Sequence, residues 1–240
     1  MKINDILSSK KVSISFEVFP PKKQDAFDSV KNATIELSSL KPDFISVTYG
    51  AGGSTQANTA EIASIIEQNN TTALAHLTCV RSSLKQITSI IDDLKSKNIS
   101  NVLALRGDLP KDATDGENLF PSGFFHASDL VSILKKEGFC IGGACYPEGH
   151  PESLNRDADI ENLKHKIDEG VDFLTTQMFF DNSILYNFLY RIREKGITVP
   201  VLPGIMPVTN GRQIERICAL SGTILPARFH AIVDKFGDHP

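Results

Sequence analysis

The chain has 240 residues, of which 41% are hydrophobic and 22% charged, and its formal net charge is -4 at pH 7. This length is sufficient for a substantial core, and no clustered basic face suggests nucleic-acid binding. The N-terminus lacks the apolar segment of a secretory signal and no apolar run is long enough to span a membrane, so we expect a cytoplasmic protein. The four cysteines form no CxxC pair, which predicts reduced thiols and no metal site.

Short apolar segments alternate along the chain with segments of helical periodicity. Strands are predicted at about residues 12–19, 43–49, 72–77, 101–105, 139–146, 172–177 and 198–202. Helices are predicted at about residues 25–40, 54–66, 84–97, 127–136, 157–169, 183–195, 210–220 and 226–236. In the first of these helices the candidate core positions are Phe27, Val30, Ile35 and Leu37. The glycine-rich residues 50–53 lack the spacing of a dinucleotide-binding fingerprint, so we interpret them as a turn before an N-cap at Ser54.

This alternation predicts an α/β fold with a parallel sheet, which both an open doubly wound sheet and a (β/α)8 barrel would satisfy. Six successive predicted strands carry polar side chains at their carboxyl ends, whereas their amino ends carry no such set of chemically useful side chains. A barrel whose active site lies at the carboxyl ends of its strands explains this asymmetry. We therefore predict a TIM (β/α)8 barrel of which about seven strand–helix units are visible. We expect residues 1–240 to form a single catalytic domain that lacks its C-terminal unit.

Glu17 is the most informative of these strand-end residues. It lies inside an apolar run that Pro20 and Pro21 end, because proline cannot continue the strand's hydrogen bonds. A carboxyl group in apolar surroundings has a raised pKa and can act as a general acid near neutral pH. The alternative interpretation is a solvated glutamate on an edge strand.

Eight stretches at or near the strand ends resemble the bacterial methylenetetrahydrofolate reductases, in the family's order and spacing. They are SFEVFPP (15–21), SVTYGA (46–51), HLTC (76–79), ALRGDLP (104–110), ASDLV (127–131), YPEGHPE (146–152), TQMFFD (176–181) and PGIMPV (203–208). Each is weak alone, but together they cover the chain from about residue 12 to its end and are specific. The resemblance also implies a TIM barrel.

The resemblance implies FAD-dependent reduction of 5,10-methylenetetrahydrofolate to 5-methyltetrahydrofolate by NADH or NADPH, which supplies methyl groups for methionine synthesis. The nicotinamide and the folate would use the flavin in turn, in a ping-pong sequence. Glu17 matches the family's acid, which would protonate the N10 side of the methylene bridge and open it to an iminium that accepts hydride. Asp108 matches an aspartate facing flavin and folate, and Gln177 matches a substrate-binding glutamine.

The remaining matched positions imply FAD contacts. Those toward the isoalloxazine and ribityl chain are Thr48, His76, Leu105, Arg106, Gly107 and Asp108. Those toward the rest of the cofactor are His126, Ala127, Tyr146, His150, Asp159, Asn162, His165 and Lys166. Arg106 and Lys166 are cations of the kind that bind a pyrophosphate.

Two alternative functions stay open on the sequence alone. One is a TIM-barrel flavoenzyme of different chemistry, such as a proline dehydrogenase-like oxidase, since a fold does not determine a function. The other is a truncated, inactive barrel that retains no flavin. Neither the choice between NADH and NADPH nor the oligomeric state follows from the sequence, although the family favours a homo-oligomer.

Overall fold

The computed structural model describes residues 1–10, 12–21, 26–49, 56–109, 114, 117–208 and 210–237. The predicted turn at residues 50–53, the N-cap at Ser54 and Pro110 of the ALRGDLP stretch lie outside these ranges. No helix in the described ranges is long and apolar enough to cross a membrane.

The described strands follow one another in a single sheet whose strand order is the chain order. They are β1 (Ser15–Val18), β2 (Phe44–Val47), β3 (Thr72–Thr78), β4 (Asn101–Leu105), β5 (Cys140–Cys145), β6 (Phe173–Thr176) and β7 (Val201–Leu202). Strands β1 to β5 pair in parallel, each with the next, and β6 pairs in parallel with β7. Sequential parallel strands with a helix after each are the TIM-barrel topology, so the predicted fold class is confirmed.

Helices connect the strands as predicted. Those described are α1 (Ile3–Ser9), α2 (Phe27–Ser39), α3 (Gln56–Gln68), α4 (Leu84–Ser96), α5 (Ala127–Lys136), α6 (Arg156–Asp168), α7 (Asn182–Glu194), α8 (Gly211–Ser221) and α9 (Ala227–Phe236). Each predicted helix has a counterpart within about two residues at either end, while α1 was not predicted.

The chain divides into two compact units. The first unit comprises residues 1–143 and 169–172, and the second comprises residues 144–168 and 173–240. In the first unit every residue of β2 is buried, and six of the seven residues of β3 are buried as well. These strands pack against α3, whose side chains Ile62 and Ile66 are fully buried, as expected for strands covered by helices.

The buried face of α2 corrects one prediction. Phe27, Val30, Ile35 and Leu37 were expected in the core, but the buried residues of α2 are Thr34 and Ser38. The Thr34 hydroxyl donates to the Val30 carbonyl at 2.7 Å, and the Ser38 hydroxyl donates to the Thr34 carbonyl at 2.9 Å. Because these hydroxyl groups are paired within the helix, small polar residues can be buried without an unsatisfied hydrogen bond.

Helix α1 is attached to the first unit through Asn101, which is fully buried at the start of β4. The Asn101 side-chain oxygen accepts from the Ile3 amide at 2.9 Å. Its side-chain nitrogen donates to the Met1 carbonyl at 3.0 Å and to the Ala73 carbonyl at 3.1 Å. One asparagine thus ties the N-terminal helix to two neighbouring strands.

The second unit has its own core, formed by β6 and the inner faces of α6 and α7. Its most buried members include Ile160, Phe173, Leu174, Phe188 and Ile192. On the outer surface, Arg191 pairs with Asp157 at 2.8 Å and Lys195 pairs with Glu161 at 2.6 Å, joining α7 to α6. Strand β7 is only two residues long, shorter than the predicted 198–202.

Candidate active site

In the first unit, Glu17 and Ser46 face each other across β1 and β2. They are register partners, and the Ser46 hydroxyl donates a 3.0 Å hydrogen bond to Oε2 of Glu17. Ser46 is only 6% exposed and stands between apolar, buried neighbours in β2. A hydroxyl in such a strand requires a partner, and the Glu17 carboxyl is that partner.

His76 in β3 lies beside the same carboxyl oxygen. Its Nε2 atom is 3.5 Å from Oε2 of Glu17, and it makes no hydrogen bond with any residue in the described ranges. The two atoms lie close together but form no hydrogen bond. Burial lowers the pKa of His76 to about 4, so this imidazole is neutral near pH 7.

The Glu17 carboxyl combines access with desolvation. Its side chain is 44% exposed, so a ligand can reach it. Even so, burial of the carboxyl by surrounding atoms raises the pKa of Glu17, and the Ser46 hydrogen bond lowers it in part. The geometry is therefore intermediate between the general acid and the solvated edge residue that the sequence left open.

Leu105 ends β4, and the turn that follows carries Arg106, Gly107 and Asp108. The Arg106 carbonyl accepts from the amides of Cys79 at 3.2 Å and Val80 at 2.9 Å, which fixes the turn to the end of β3. Gly107 has a φ of +90°, and a Cβ there would lie 2.6 Å from Cγ1 of Val80. Asp108 is exposed beyond this turn and is thus accessible to a ligand.

Thr48, His126 and Ala127 complete the predicted positions in the first unit. Thr48 follows β2, and its amide donates to the Val18 carbonyl at 3.0 Å. His126 is the exposed N-cap residue of α5, and its amide donates to Oδ2 of Asp129 at 2.9 Å. Ala127 begins the helix. Thr48 thus lies at the carboxyl end of a strand and the other two at the start of a helix, and their cofactor contacts stay predictions.

In the second unit, Tyr146 and His150 form an edge-to-face aromatic pair just after β5. Their ring centroids are 4.6 Å apart with an interplanar angle of 83°. Nδ1 of His150 accepts from the Glu152 amide at 3.1 Å, which orients the imidazole ring. Gly149, at a φ of +94°, allows the tight turn between the two rings.

Helix α6 carries four predicted positions, of which Asp159 and Lys166 are the most enclosed. Oδ1 of Asp159 accepts from the Ser153 hydroxyl at 2.9 Å. Nζ of Lys166 donates to the Ala144 carbonyl, and burial lowers the pKa of this amine although Cys145 and Asp159 partly raise it. Asn162 and His165 are exposed on the same helix.

Gln177 follows β6 and is half-buried. Its amide nitrogen in the main chain donates to the Cys145 carbonyl at 2.7 Å, and its side-chain oxygen accepts from the Met178 amide at 2.9 Å. These bonds hold the residue at the strand end where a substrate contact was predicted.

Ser46 is the site residue that sequence reasoning missed. The signal was present, because a lone serine interrupts the apolar sequence Phe-Ile-Ser-Val of β2. No group of three or more His, Cys, Asp or Glu side chains among the described residues could hold a metal ion.

Comparison with known proteins identifies the family. A family model described as methylenetetrahydrofolate reductase matches residues 2–240. This chain belongs to the methylenetetrahydrofolate reductase family. The 5,10-methylenetetrahydrofolate reductase of Pectobacterium carotovorum is 38% identical over 232 residues, which cover 96% of this chain and 76% of the relative. The Escherichia coli enzyme of the same name is 37% identical over 229 residues, covering 95% of this chain and 75% of that protein.

A longer plant relative and two solved structures complete the comparison. Methylenetetrahydrofolate reductase (NADH) 1 of Arabidopsis thaliana is 36% identical over 99% of this chain, which spans 42% of that relative. A Clostridium thermocellum protein, described as binding two copies of 5-methyl-5,6,7,8-tetrahydrofolic acid, matches with a TM-score of 0.68 at 14% identity, covering 99% of this chain and 79% of that one. An oxaloacetate acetylhydrolase matches with a TM-score of 0.59 at 12% identity, covering 90% and 76%. At these identities the structural matches show the fold alone.

Proposed function

We propose that this reductase-family chain reduces 5,10-methylenetetrahydrofolate to 5-methyltetrahydrofolate, with FAD as its cofactor and NADH or NADPH as its reductant. The observation that carries the proposal is Glu17, a carboxyl at the end of β1 whose pKa is raised by burial and which a ligand can still reach. We also propose that both compact units belong to one catalytic domain, which the family match over residues 2–240 supports. The product would supply methyl groups for methionine synthesis.

Two features of the described residues fit a flavin dinucleotide. Nε2 of His76 is a buried polar atom with no hydrogen bond in the described ranges, and a ligand heteroatom would satisfy it. In the second unit, the Lys166 ammonium is desolvated and donates to a carbonyl, whereas a phosphate oxygen would be a stronger, charged acceptor. When bound, FAD would supply the means of passing two electrons from the nicotinamide to the folate.

Glu17 would act on the folate by proton transfer. The reduction breaks the bond between the bridging carbon and N10, and N10 gains a proton while the carbon gains a hydride. Burial raises the pKa of Glu17, which favours its protonated form, and a protonated carboxyl can donate its proton to N10. The hydrogen bond from Ser46 then stabilises the carboxylate that remains.

Asp108 and Gln177 would contact the substrate. Asp108 is exposed after the Gly107 turn, so its carboxylate can accept from the amino and ring N–H groups of a pterin. The side-chain oxygen of Gln177 is already occupied by the Met178 amide, which leaves its side-chain nitrogen as the donor for a ligand. The resemblance also favours a homo-oligomer, which light scattering after size-exclusion chromatography would test.

The decisive experiment separates the two half-reactions by stopped-flow absorbance. Glu17→Gln keeps the size of the side chain but cannot donate a proton. We expect this variant to bind FAD and to be reduced by NADH or NADPH normally, whereas its reoxidation by methylenetetrahydrofolate should slow roughly 10²–10⁴-fold, the range typical of a general acid.

Two further variants serve as controls. Glu17→Asp retains an acid and should recover part of the folate half-reaction, while Glu36→Gln replaces an exposed carboxylate of α2 and should behave as the unaltered chain. Reoxidation of Glu17→Gln at the unaltered rate would show that Glu17 is not the acid. If the chain binds no flavin, or if methylenetetrahydrofolate does not reoxidise its reduced flavin, the proposed function itself is wrong.

A further inference from the structure

The Glu17 carboxyl is held asymmetrically. Oε2 accepts the 3.0 Å hydrogen bond from the Ser46 hydroxyl and lies 3.5 Å from Nε2 of His76. Oε1 has no partner in the part of the chain that the structure describes. One oxygen therefore faces the neighbouring strands, and the other is left for a ligand.

We propose that Ser46 is a positioning residue for the folate half-reaction: its hydroxyl occupies Oε2 of Glu17 and so leaves Oε1 as the oxygen that carries the transferable proton. This inference rests on the proposed function, because it assumes that Glu17 donates a proton. Its physical basis is the chemistry of a carboxylic acid, in which the unprotonated oxygen is the better hydrogen-bond acceptor. A serine hydroxyl fixed on one oxygen therefore selects the other oxygen for the proton.

The register of the sheet makes this arrangement rigid. Glu17 and Ser46 are paired residues of adjacent parallel strands, so their Cα positions are set by the β1–β2 hydrogen bonds. Ser46 is buried, and its neighbours Ile45 and Val47 are fully buried, which limits movement of β2. A hydroxyl on such a strand can hold the carboxyl in one orientation without ordering a flexible loop.

The groups packed around Glu17 simplify its titration. Strand β2 and helix α2 both pack against β1. The charged residues Asp28, Lys31 and Glu36 of α2 are exposed. His76, from β3, is the titratable neighbour, and burial lowers its pKa to about 4. The imidazole is therefore mostly neutral above about pH 5.

This environment predicts two opposite effects of Ser46→Ala. The hydrogen bond from Ser46 lowers the pKa of Glu17 against the effect of burial, so its loss raises that pKa further. A general acid works in its protonated form, and the rate falls as pH rises through its pKa. Ser46→Ala should therefore lower the maximal folate rate, because the orientation is lost, yet shift the falling limb of the pH profile to higher pH. A merely structural defect lowers the rate without moving the limb.

The kinetic test compares three variants. We expect Ser46→Ala to lower the plateau roughly tenfold and to move the limb by up to about one pH unit, the effect of one hydrogen bond to a carboxylate. Ser46→Thr retains a hydroxyl and should restore the position of the limb. Ser38→Ala removes another buried hydroxyl from the same unit and should change neither quantity.

A second measurement requires no activity. Glutamate labelled with ¹³C at the side-chain carboxyl reports each titration by NMR in the flavin-free chain, and Glu17→Gln identifies the Glu17 signal by its loss. We expect the midpoint of that signal to rise in Ser46→Ala and to return in Ser46→Thr. An unchanged midpoint in Ser46→Ala would overturn the proposal even if that variant were too unstable for kinetics.

A double-mutant cycle separates this inference from the proposed function. In a Glu17→Gln background the Ser46→Ala change should have no further effect on the folate half-reaction, since both act on the same proton transfer. Additive losses would show that Ser46 acts elsewhere. If the unaltered chain did not reduce methylenetetrahydrofolate, the proposed function would fail, whereas an active chain with an unshifted Ser46→Ala limb would overturn the role of Ser46 alone.

Discussion

The Gly107 turn depends on one missing atom. A residue with a Cβ at this position would have to adopt a φ of +90° and would place the Cβ 2.6 Å from Cγ1 of Val80 and 3.1 Å from Cβ of Thr78. Gly138, at a φ of +85°, has a similar backbone but nothing within 4 Å of such a Cβ. The two glycines therefore separate backbone strain from steric overlap.

We expect Gly138→Ala to lower the free energy of unfolding by about 1–2 kcal/mol, the cost of a left-handed conformation. Gly107→Ala should cost more, by a further ~1–3 kcal/mol, because Val80 and Thr78 must also move. Urea unfolding of both variants measures the difference. Equal losses would show that Val80 and Thr78 move aside at no cost and would contradict the expected steric overlap at Gly107.

His76 should make stability depend on pH. Its pKa falls from an ordinary value of 6.5 to about 4 in the folded chain, so the unfolded chain binds more protons between these values. The free energy of unfolding should therefore rise with pH across this window, by about 2 kcal/mol from pH 5 to pH 7. As the pH falls below 6.5, His76 takes up a proton in the unfolded chain but not in the folded chain, and the free energy of unfolding decreases progressively.

This dependence is best measured in a Glu17→Gln background, where the neighbouring carboxyl no longer titrates. His76→Gln should remove the extra slope, while His230→Gln, which replaces an exposed histidine of the second unit, should leave it in place. Identical slopes with and without His76 would show that this imidazole is not held neutral by burial.

Single residues were predictable where the sequence departed from its local pattern. Glu17 was identified because a charge interrupts an apolar strand, and the structure gives it the desolvation that this interruption implies. Ser46 interrupts β2 in the same way but was missed, because serine is uncharged and small and its need for a partner is easily overlooked. Its hydrogen bond to Glu17 appears only when the register places the two residues opposite each other, which depends on long-range pairing.

At the scale of elements, Asn101 carries a prediction about α1. Its side chain makes three hydrogen bonds while fully buried, two of them to the N-terminal segment. Asn101→Ala leaves the Ile3 amide and two carbonyls unpaired and should lower the free energy of unfolding by about 2–4 kcal/mol. Hydrogen exchange should show α1 losing protection first, whereas Ser8→Ala, on the exposed side of α1, should leave protection unchanged. Retained protection of α1 in Asn101→Ala would show that apolar contacts of Ile3 and Ile6 suffice.

Helix and strand positions were predictable because the apolar periodicity changes sharply between them. The strand at 101–105 and the helix at 127–136 have the predicted bounds, since a long apolar run and a clear cap mark their ends. Helix α1 was missed because a short helix with two buried isoleucines has too few turns to show a period. The buried face of α2 was wrong because hydroxyl groups bonded to their own helix can replace apolar residues, a compensation that periodicity does not reveal.

At the scale of the whole molecule, the topology followed from two elementary constraints. Parallel strands require a crossover between them, and apolar strands require helices on the covered face, so strict alternation leaves few arrangements. The choice of a barrel over an open sheet rested on polar residues at six strand ends, and the sequential strand order agrees with it. The division into two compact units was not predicted, since it depends on contact density along the folded chain and not on any local pattern.

Lys166 gives a prediction in which stability and cofactor binding move in opposite directions. Its ammonium group is desolvated in the second unit and donates to the Ala144 carbonyl, an arrangement that is costly for the flavin-free chain. Under the proposed function, the same charge is available to a phosphate of FAD. Replacing Lys166 should therefore stabilise the flavin-free chain and weaken FAD binding, and one experiment can measure both effects.

Lys166→Met retains the length of the side chain but removes the charge. We expect the melting temperature of the flavin-free chain to rise by about 2–4 °C, corresponding to roughly 1 kcal/mol for a chain of this size. Saturating FAD at about 100 times its dissociation constant should raise the melting temperature of the unaltered chain by about 5–10 °C. At the same FAD concentration the increment should shrink markedly in Lys166→Met, because a charge-assisted contact is worth about 1.5–3 kcal/mol. Lys164→Met, two residues earlier on α6 with a side chain 44% exposed, should change neither value. A flavin-free Lys166→Met chain that melts lower, together with an undiminished FAD increment, would show that Lys166 supports the fold and not the cofactor.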